Sequence, residues 1–319
     1  GTFQLNGRIV NAVKLENLIR RLFRKRSMAG RNNSGNDVQV YVPYRAGLPP
    51  IGPYFRDLWS RRQFAAEFSR SGIRSANTQT FFGQLWLVLN PLLLALVYFI
   101  LVSILRDVDG PMDFLGYLTG GLFLYFFING TISTGASSVT GGGGIIMNMA
   151  FPRLLMPLAA VRTAFIRFLP TIPVMLIIRA LGDREWNWVQ LTSIVFVLMA
   201  VVFSAGLAAI MATLNVYFRD TTSFLPYFLR IWLYLSPVLW AAFEIDEHGV
   251  RHLGVEAVGN WIYLNPLFSI IGGFSESAIE GRMPPAETWI YGSAWAVFFA
   301  VTGFLFLMSR ERDFAVRII

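Results

Sequence analysis

Residues 189–216 read VQLTSIVFVLMAVVFSAGLAAIMATLNV and contain no charged side chain. A helix needs about 20 mainly apolar residues to cross about 30 Å of hydrocarbon. The run is continuous and lacks the strict alternation of a membrane β-strand, so it predicts a spanning helix. Similar runs recur along the 319-residue chain, of which 55% is hydrophobic and only 14% charged. The fold class predicted is an all-α polytopic membrane protein.

Six transmembrane helices are predicted within residues 84–309. Their approximate bounds are 85–105, 114–139, 157–181, 189–216, 223–243 and 288–308. An inside loop covers 140–157, and an outer segment covers 244–287. The outer segment is apolar but interrupted at Asn265-Pro266 and Gly272-Gly273. Because irregular backbone within the membrane must pack against protein or face water, this segment predicts short re-entrant helices that form an outer gate.

The charge of the chain is concentrated before the first span. Residues 1–83 carry 14 Lys and Arg against 4 Asp and Glu, whereas residues 84–319 carry 13 against 15. We expect residues 1–51 to form a basic extension, with an amphipathic helix over 4–23 and then a linker. Residues 52–83 hold a second predicted helix, over 53–80, at the membrane interface. Either helix could instead dock another protein.

The positive-inside rule orients the chain. With both termini inside, the arginines of the inside segments outnumber those of the acid-rich outside segments. The extension and the tail at 310–319 are therefore expected to be cytoplasmic. The localisation predicted from these patterns is a membrane that the chain crosses several times.

No energy-transducing or catalytic motif is evident in the sequence. The only lysines are Lys14 and Lys25, and neither follows a glycine-rich turn as a P-loop requires. The predicted spans lack Asp and Glu away from their edges, which disfavours ion coupling. His248 and His252 are the only histidines, and with Glu256 they offer only three ligands. We therefore predict no catalytic residue, no metal site and no enzyme activity on the chain alone.

Three arginines fall inside predicted spans: Arg162, Arg167 and Arg230. Each would cost at least about 2.5 kcal/mol at the bilayer centre. They either extend their side chains to the inner interface or contact an anion such as a lipid phosphate. Aromatic side chains are also dense in the spans, where they either pack or line a path for sugars. The aromatic path candidates are Trp86, Tyr98, Phe126, Tyr227, Trp232 and Tyr234.

Four short strings, in this order along the predicted topology, resemble one family. They are FGQLWLVLNP at 82–91, FPRLLMPL at 151–158, YFRD at 217–220 and LNPL at 264–267. The chain is similar over residues 52–319 to the membrane-spanning permease subunit of bacterial ABC exporters for polysaccharides, which move O-antigen, teichoic acid or cell-wall galactan. The extension before residue 52 lies beyond the usual start of that family, so no role carries over to it. A chain with such an extension resembles the mycobacterial-type galactan exporters, and the resemblance implies a location in the bacterial plasma (inner) membrane.

The resemblance implies a homodimer that binds two ATPase subunits, which themselves bind ATP and Mg, and a path for lipid-pyrophosphate-linked glycan between the protomers. The interfacial helix would flank a lateral entrance. The residues implied in coupling to the ATPase are Ile145, Met149, Phe151, Pro152, Arg153, Arg219 and Asp220. Those implied in the outer gate are Trp261, Asn265, Pro266 and Phe268. Two alternatives remain: an ABC permease of this architecture for drugs or lipids, and an ion-coupled flippase that works without an ATPase.

Overall fold

A computed structural model describes residues 2–5, 8–11, 48–75, 85–105, 111–143, 151–182, 185–239 and 262–317. The described chain forms two separate compact units, Gly1–Arg45 and Ala46–Ile319. The second unit contains no strand among its described residues. Its helices are α1 (Ile51–Ser60), α2 (Arg62–Ser75), α3 (Trp86–Leu105), α4 (Pro111–Gly141), α5 (Leu155–Phe168), α6 (Thr171–Ala180), α7 (Ser193–Tyr217), α8 (Thr221–Tyr234), α9 (Pro266–Ser275), α10 (Ala286–Arg310) and α11 (Phe314–Arg317). Short 3₁₀ turns cover Trp188–Thr192 and Glu311–Asp313, and a π-turn covers Glu276–Glu280.

The first unit contains an antiparallel hairpin of β1 (Thr2–Leu5) and β2 (Arg8–Asn11). Thr2 pairs with Asn11 and Leu5 pairs with Arg8. The helix predicted over residues 4–23 is therefore wrong for residues 4–5 and 8–11, and residues 12–23 lie outside the described part. The physical reason is visible in the sequence, since Asn-Gly at positions 6–7 strongly favours a two-residue hairpin turn.

Four helical segments are long and apolar enough to cross a membrane. They are Asp113–Gly141, Leu155–Ala180, Trp188–Tyr217 and Ala286–Asp313. They match the second, third, fourth and sixth predicted spans. In the first predicted span the described apolar stretch is shorter, Val88–Leu101. In the fifth, α8 has 14 residues and a length of about 21 Å, which is less than the hydrocarbon thickness.

Two interruptions bear on the sequence predictions. The third predicted span is divided into α5 and α6 at Leu169 and Pro170, because proline lacks the amide that would continue the helix. The outer segment begins its helix at Asn265-Pro266 as expected, but α9 continues through Gly272-Gly273. A break at these glycines was the wrong prediction. Gly273 is required for packing instead, since a Cβ there would overlap the ring of Phe196.

The centre of the helical unit is α7, which packs against α4 and α10. Helices α7 and α10 meet backbone to backbone at Gly206 and Gly303. A Cβ on Gly303 would overlap the carbonyl oxygen of Gly206, and a Cβ on Gly206 would overlap that of Phe299. Such small residues let membrane helices approach closely and gain van der Waals contact. A second apolar cluster joins α1 and α2 to the start of α5 and the end of α10.

Candidate functional site

Cavity A lies between α3, α4 and α5 and has a volume of about 240 Å³. It brings together three residues of the predicted substrate path, Trp86, Phe126 and Arg167. Their proximity could not be predicted from the sequence, because these residues come from three different helices. The remaining lining includes Asn90, Pro91, Phe123, Phe127, Gly130, Thr134, Thr163, Ala164, Phe168 and Thr171.

Cavity B lies between α3, α4 and α8 and has a volume of about 480 Å³. It contains four predicted path residues, Tyr98, Phe126, Arg230 and Tyr234, so that Phe126 borders both cavities. The Tyr98 and Tyr234 hydroxyls are hydrogen-bonded at 3.1 Å, and their rings stand edge to face with centroids 6.4 Å apart. Cavity B therefore combines aromatic rings with hydroxyl groups and one guanidinium.

Two polar residues of cavity B were missed by sequence reasoning. Asn129 and Ser133 lie one turn apart on α4, and the Ser133 hydroxyl donates to the Asn129 side-chain oxygen at 3.1 Å. The available signal was the run of Asn, Thr and Ser in the second half of an otherwise apolar span. Polar side chains in such spans face the protein interior or a water-filled cavity.

Three predicted path residues line neither cavity. Arg162 is exposed on α5, and Tyr227 is 67% exposed on α8. The Trp232 indole N–H donates to the Asn265 side-chain oxygen at 2.8 Å. Trp232 and Arg230 are two residues apart, which is about 200° around a helix, and so they face different neighbours.

Asn265 connects the predicted outer gate to α8. Its side-chain oxygen also caps α9 by accepting from the Leu267 amide at 3.1 Å, and its amide donates to the Leu235 carbonyl at 2.8 Å. Pro266 and Phe268 are buried. Trp261 lies outside the described residues, as do His248, His252 and Glu256. Every residue of α9 is buried, so this helix lies within the protein.

The predicted ATPase-coupling residues are divided between buried and exposed positions. Phe151 is 6% exposed and contacts the ring of Phe64 on α2, with centroids 5.1 Å apart, and Pro152 is also buried. Arg219 and Asp220 are exposed just before α8. Ile145 and Met149 lie outside the described residues. Among the described residues of this set, Arg219 and Asp220 are thus the most accessible to a partner.

Arg153 belongs to a buried polar cluster that sequence reasoning missed. The Tyr54 hydroxyl donates to the Glu311 carboxylate at 2.8 Å, and the Arg153 backbone amide donates to the same oxygen at 3.2 Å. Burial, together with the nearby carboxylate, raises the pKa of Tyr54. The cluster joins α1, the segment before α5 and the end of α10. No local signal in the sequence could reveal it, since Tyr54 and Glu311 are 257 positions apart.

Apolar helices of spanning length define a multi-pass membrane protein. No family model matches the chain. The O-antigen export system permease protein RfbA of Myxococcus xanthus is 26% identical over 261 residues, which cover 82% of this chain and 97% of that protein. The protein of the same name from Klebsiella pneumoniae is 30% identical over 205 residues, which cover 63% of this chain and 74% of the relative. The chain belongs to this family of membrane permease subunits of ABC-type polysaccharide exporters.

Proposed function

We propose that the chain is the transmembrane subunit of an ATP-driven exporter that moves lipid-linked polysaccharide from the cytoplasmic to the outer side of the bacterial plasma membrane. The observation that carries this proposal is cavity B. It offers the Tyr98 and Tyr234 rings for contact with sugar faces, and Asn129, Ser133 and Arg230 for hydrogen bonds to hydroxyl groups. None of its described lining residues is an acid, which fits a transporter that is not driven by protons or sodium.

The same proposal includes six spans and a second copy of the chain. Helices α3 and α8 border cavity B, and both carry large apolar side chains on the surface of the single chain. Leu96 and Ile100 on α3 and Phe224 and Ile231 on α8 are between 48% and 64% exposed. A second copy packed against these helices would enclose cavity B and make it a path between the protomers. Lipid would otherwise contact those side chains.

ATP and Mg would bind to two separate ATPase subunits on the cytoplasmic side. The contact would include Arg219 and Asp220, together with the loop that contains Ile145 and Met149. Binding energy can shift the permease between two states only if the ATPase contacts those states differently. The loop before α5 contacts α2 through the rings of Phe151 and Phe64, so a displacement of that loop would also move the proposed interfacial helix.

The lipid-linked substrate would enter from the inner leaflet beside α1 and α2, with cell-wall galactan as its preferred glycan. Arg162 and Tyr227 are exposed, and we place them on the approach to the path rather than within cavity B. Trp232, through its bond to Asn265, would connect the path to the outer gate. The gate itself would comprise Trp261, Asn265, Pro266 and Phe268.

Affinity purification of the chain in mild detergent, followed by mass spectrometry, tests the ATP-driven part of the proposal. A P-loop ATPase is expected at stoichiometric level. If the chain purifies without one, an ion-coupled flippase becomes the better explanation, and its transport should then collapse when the proton gradient is dissipated.

A second measurement tests the glycan. In the reconstituted complex, Tyr98→Ala should lower glycan-stimulated ATP hydrolysis about 2- to 10-fold, the range expected for the loss of one aromatic contact. The matched control is Trp188→Ala, which removes an exposed aromatic ring outside both cavities and outside the proposed path. Stimulation by drugs or lipids, but not by glycan, would point instead to a permease of the same architecture with another substrate.

A further inference from the structure

Arg167 lies where cavity A meets a third cavity, C. Cavity C has a volume of about 300 Å³ and lies between α2, α4 and α5. Both cavities are also lined by Thr134 and Thr163. The remaining lining of cavity C includes Phe68, Gly72, Ser137, Ser138, Gly141, Met156 and Ala160. A single guanidinium is therefore surrounded by hydroxyl groups from two helices.

The positive charge of Arg167 has no counter-charge in the described structure. Its Nε is buried without a hydrogen-bond partner, and the guanidinium makes no ion pair with any described residue. Neither cavity has an acid among its described lining residues. An unpaired charge within the membrane is costly, and that cost falls when an anion binds. The electrostatics of the site thus favour a negatively charged ligand.

The position of Arg167 along α5 distinguishes it from an arginine that simply extends to bulk water. At 1.5 Å per residue, its Cα lies about 18 Å along the helix axis from Leu155. Helical side chains tilt toward the helix N-terminus, so the guanidinium points back toward the proposed cytoplasmic side. The Arg167 Nε is buried and the side chain lines both cavities, so the base of the guanidinium lies within the protein.

We propose that Arg167, with the hydroxyls of Thr134 and Thr163, binds the phosphate group of a lipid from the inner leaflet. A guanidinium suits this ligand because its forked donors match two phosphate oxygens. The Thr134 and Thr163 hydroxyls, which here donate to the Gly130 and Ala159 carbonyls, can rotate to donate to a phosphate instead. Cavities of 240 and 300 Å³ lie at or below the lower limit of about 300 Å³ for sites that hold whole small molecules. A volume of this size suits a lipid head group.

The site is also connected to the proposed interfacial helix. The Thr163 hydroxyl lies 2.9 Å from the Ser69 hydroxyl on α2. If the Thr163 hydroxyl donated to a bound phosphate, its hydrogen bond to Ser69 would change. Lipid binding would then be coupled to the packing of α2 against α5. The phosphate could belong to a membrane phospholipid or to the diphosphate of the lipid-linked substrate. The second source rests on the proposed function, whereas the first does not.

Native mass spectrometry of the purified chain with phosphatidylglycerol tests the site. We expect wild type to retain one tightly bound phosphatidylglycerol per chain, and to retain zwitterionic phosphatidylcholine less well. Arg167→Gln should raise the apparent Kd for phosphatidylglycerol about 10- to 100-fold, as expected for lost charge-assisted hydrogen bonds. Arg310→Gln is the matched control, because it removes an exposed arginine at the end of α10, outside both cavities. Its Kd should equal that of wild type.

A wild-type Kd in Arg167→Gln, or an equal loss in Arg310→Gln, would overturn the proposal. Arg167→Gln removes an unpaired charge and should fold; a monodisperse elution profile and an unchanged melting temperature check this. If Arg167→Gln fails to fold, the Kd of Arg167→Lys for phosphatidylglycerol tests the proposal instead. That variant keeps the charge but loses the fork, so a Kd raised about 3-fold or more supports the site. A wild-type Kd in Arg167→Lys would then overturn it.

Competition with a polyprenyl diphosphate distinguishes the two sources of phosphate. Displacement of phosphatidylglycerol assigns the site to the substrate head group, and its absence assigns the site to a membrane phospholipid. Neither result depends on the ATPase. Failure of the proposed function, seen as a chain that purifies without an ATPase, would therefore leave the phosphatidylglycerol measurement intact.

Discussion

Replacing Tyr54 by phenylalanine would remove one oxygen and leave the packing of the ring unchanged. In the folded chain that oxygen donates to the Glu311 carboxylate at 2.8 Å, where both side chains are 7% exposed. The bond attaches α1 to the end of α10. Tyr54→Phe leaves the Arg153 backbone amide, at 3.2 Å, as the donor that these residues still offer to the carboxylate. The substitution should therefore loosen α1 from the body of the protein.

The magnitude follows from the charge on the acceptor. A hydrogen bond to a charged group contributes about 1.5 to 3 kcal/mol, and each 1.4 kcal/mol is a factor of ten in an equilibrium constant. Hydrogen–deuterium exchange of the amides of α1, measured in lipid nanodiscs, should then be about 10- to 100-fold faster in the variant, because exchange reports the free energy of local opening.

The pH dependence of this contact has a defined sign. Because the pKa of Tyr54 is raised, the folded state favours the protonated hydroxyl. Its contribution is fully present below the ordinary tyrosine pKa of about 10 and is lost only as the pH rises through the higher folded-state pKa. After correction for intrinsic exchange rates, ionisation of Tyr54 should leave the wild-type protection of α1 unchanged between about pH 6 and pH 9.

Tyr217→Phe is the matched control for Tyr54→Phe. The Tyr217 hydroxyl donates to the Asp313 carboxylate at 2.9 Å, but it is only half-buried and this bond does not involve α1. This variant should leave the protection of α1 at the wild-type level. Equal exchange of α1 in Tyr54→Phe and wild type, or equal acceleration in both variants, would refute the conclusion that the Tyr54–Glu311 bond holds α1 in place.

Three further substitutions test the packing, the gate and the coupling. Gly303→Ala should lower the free energy of unfolding by about 1 to 3 kcal/mol, because the added Cβ would overlap the backbone of α7, and a lower melting temperature in detergent would show it. The control is Gly130→Ala, which has open space around it and should be neutral or stabilising. Asn265→Ala should lower the free energy of unfolding by about 0.5 to 2 kcal/mol through the lost helix cap alone. It should also make the outer side permeable to a small polar dye in proteoliposomes. A variant that does not leak the dye would contradict the gate role of Asn265. Arg153→Glu should uncouple ATP hydrolysis from export while the protein level stays normal. The control is Arg153→Gln, which adds no carboxylate beside Glu311 and so separates the loss of a contact from charge repulsion. Normal export by Arg153→Glu would contradict the coupling role.

Much of the fold could be predicted because spanning helices are a local property of the sequence. The apolar runs at α4, α5–α6, α7 and α10 are long enough to cross the membrane whatever surrounds them. The division between α5 and α6 at Pro170 and the start of α9 at Asn265-Pro266 are equally local, since each depends on a proline or a capping side chain. The hairpin was also predictable from Asn-Gly, but its amphipathic pattern was interpreted as helical.

Only the tertiary structure decided which of these residues meet. The sequence determined that Arg167 is a costly charge within a span, but not that Trp86 and Phe126 would share a cavity with it, since that depends on how three helices rotate against one another. It likewise placed Trp232 beside the other aromatics, whereas helix packing turned it toward Asn265. No local sequence pattern marks Tyr54 or Glu311. They form a hydrogen bond only because folding buries both side chains at the same place.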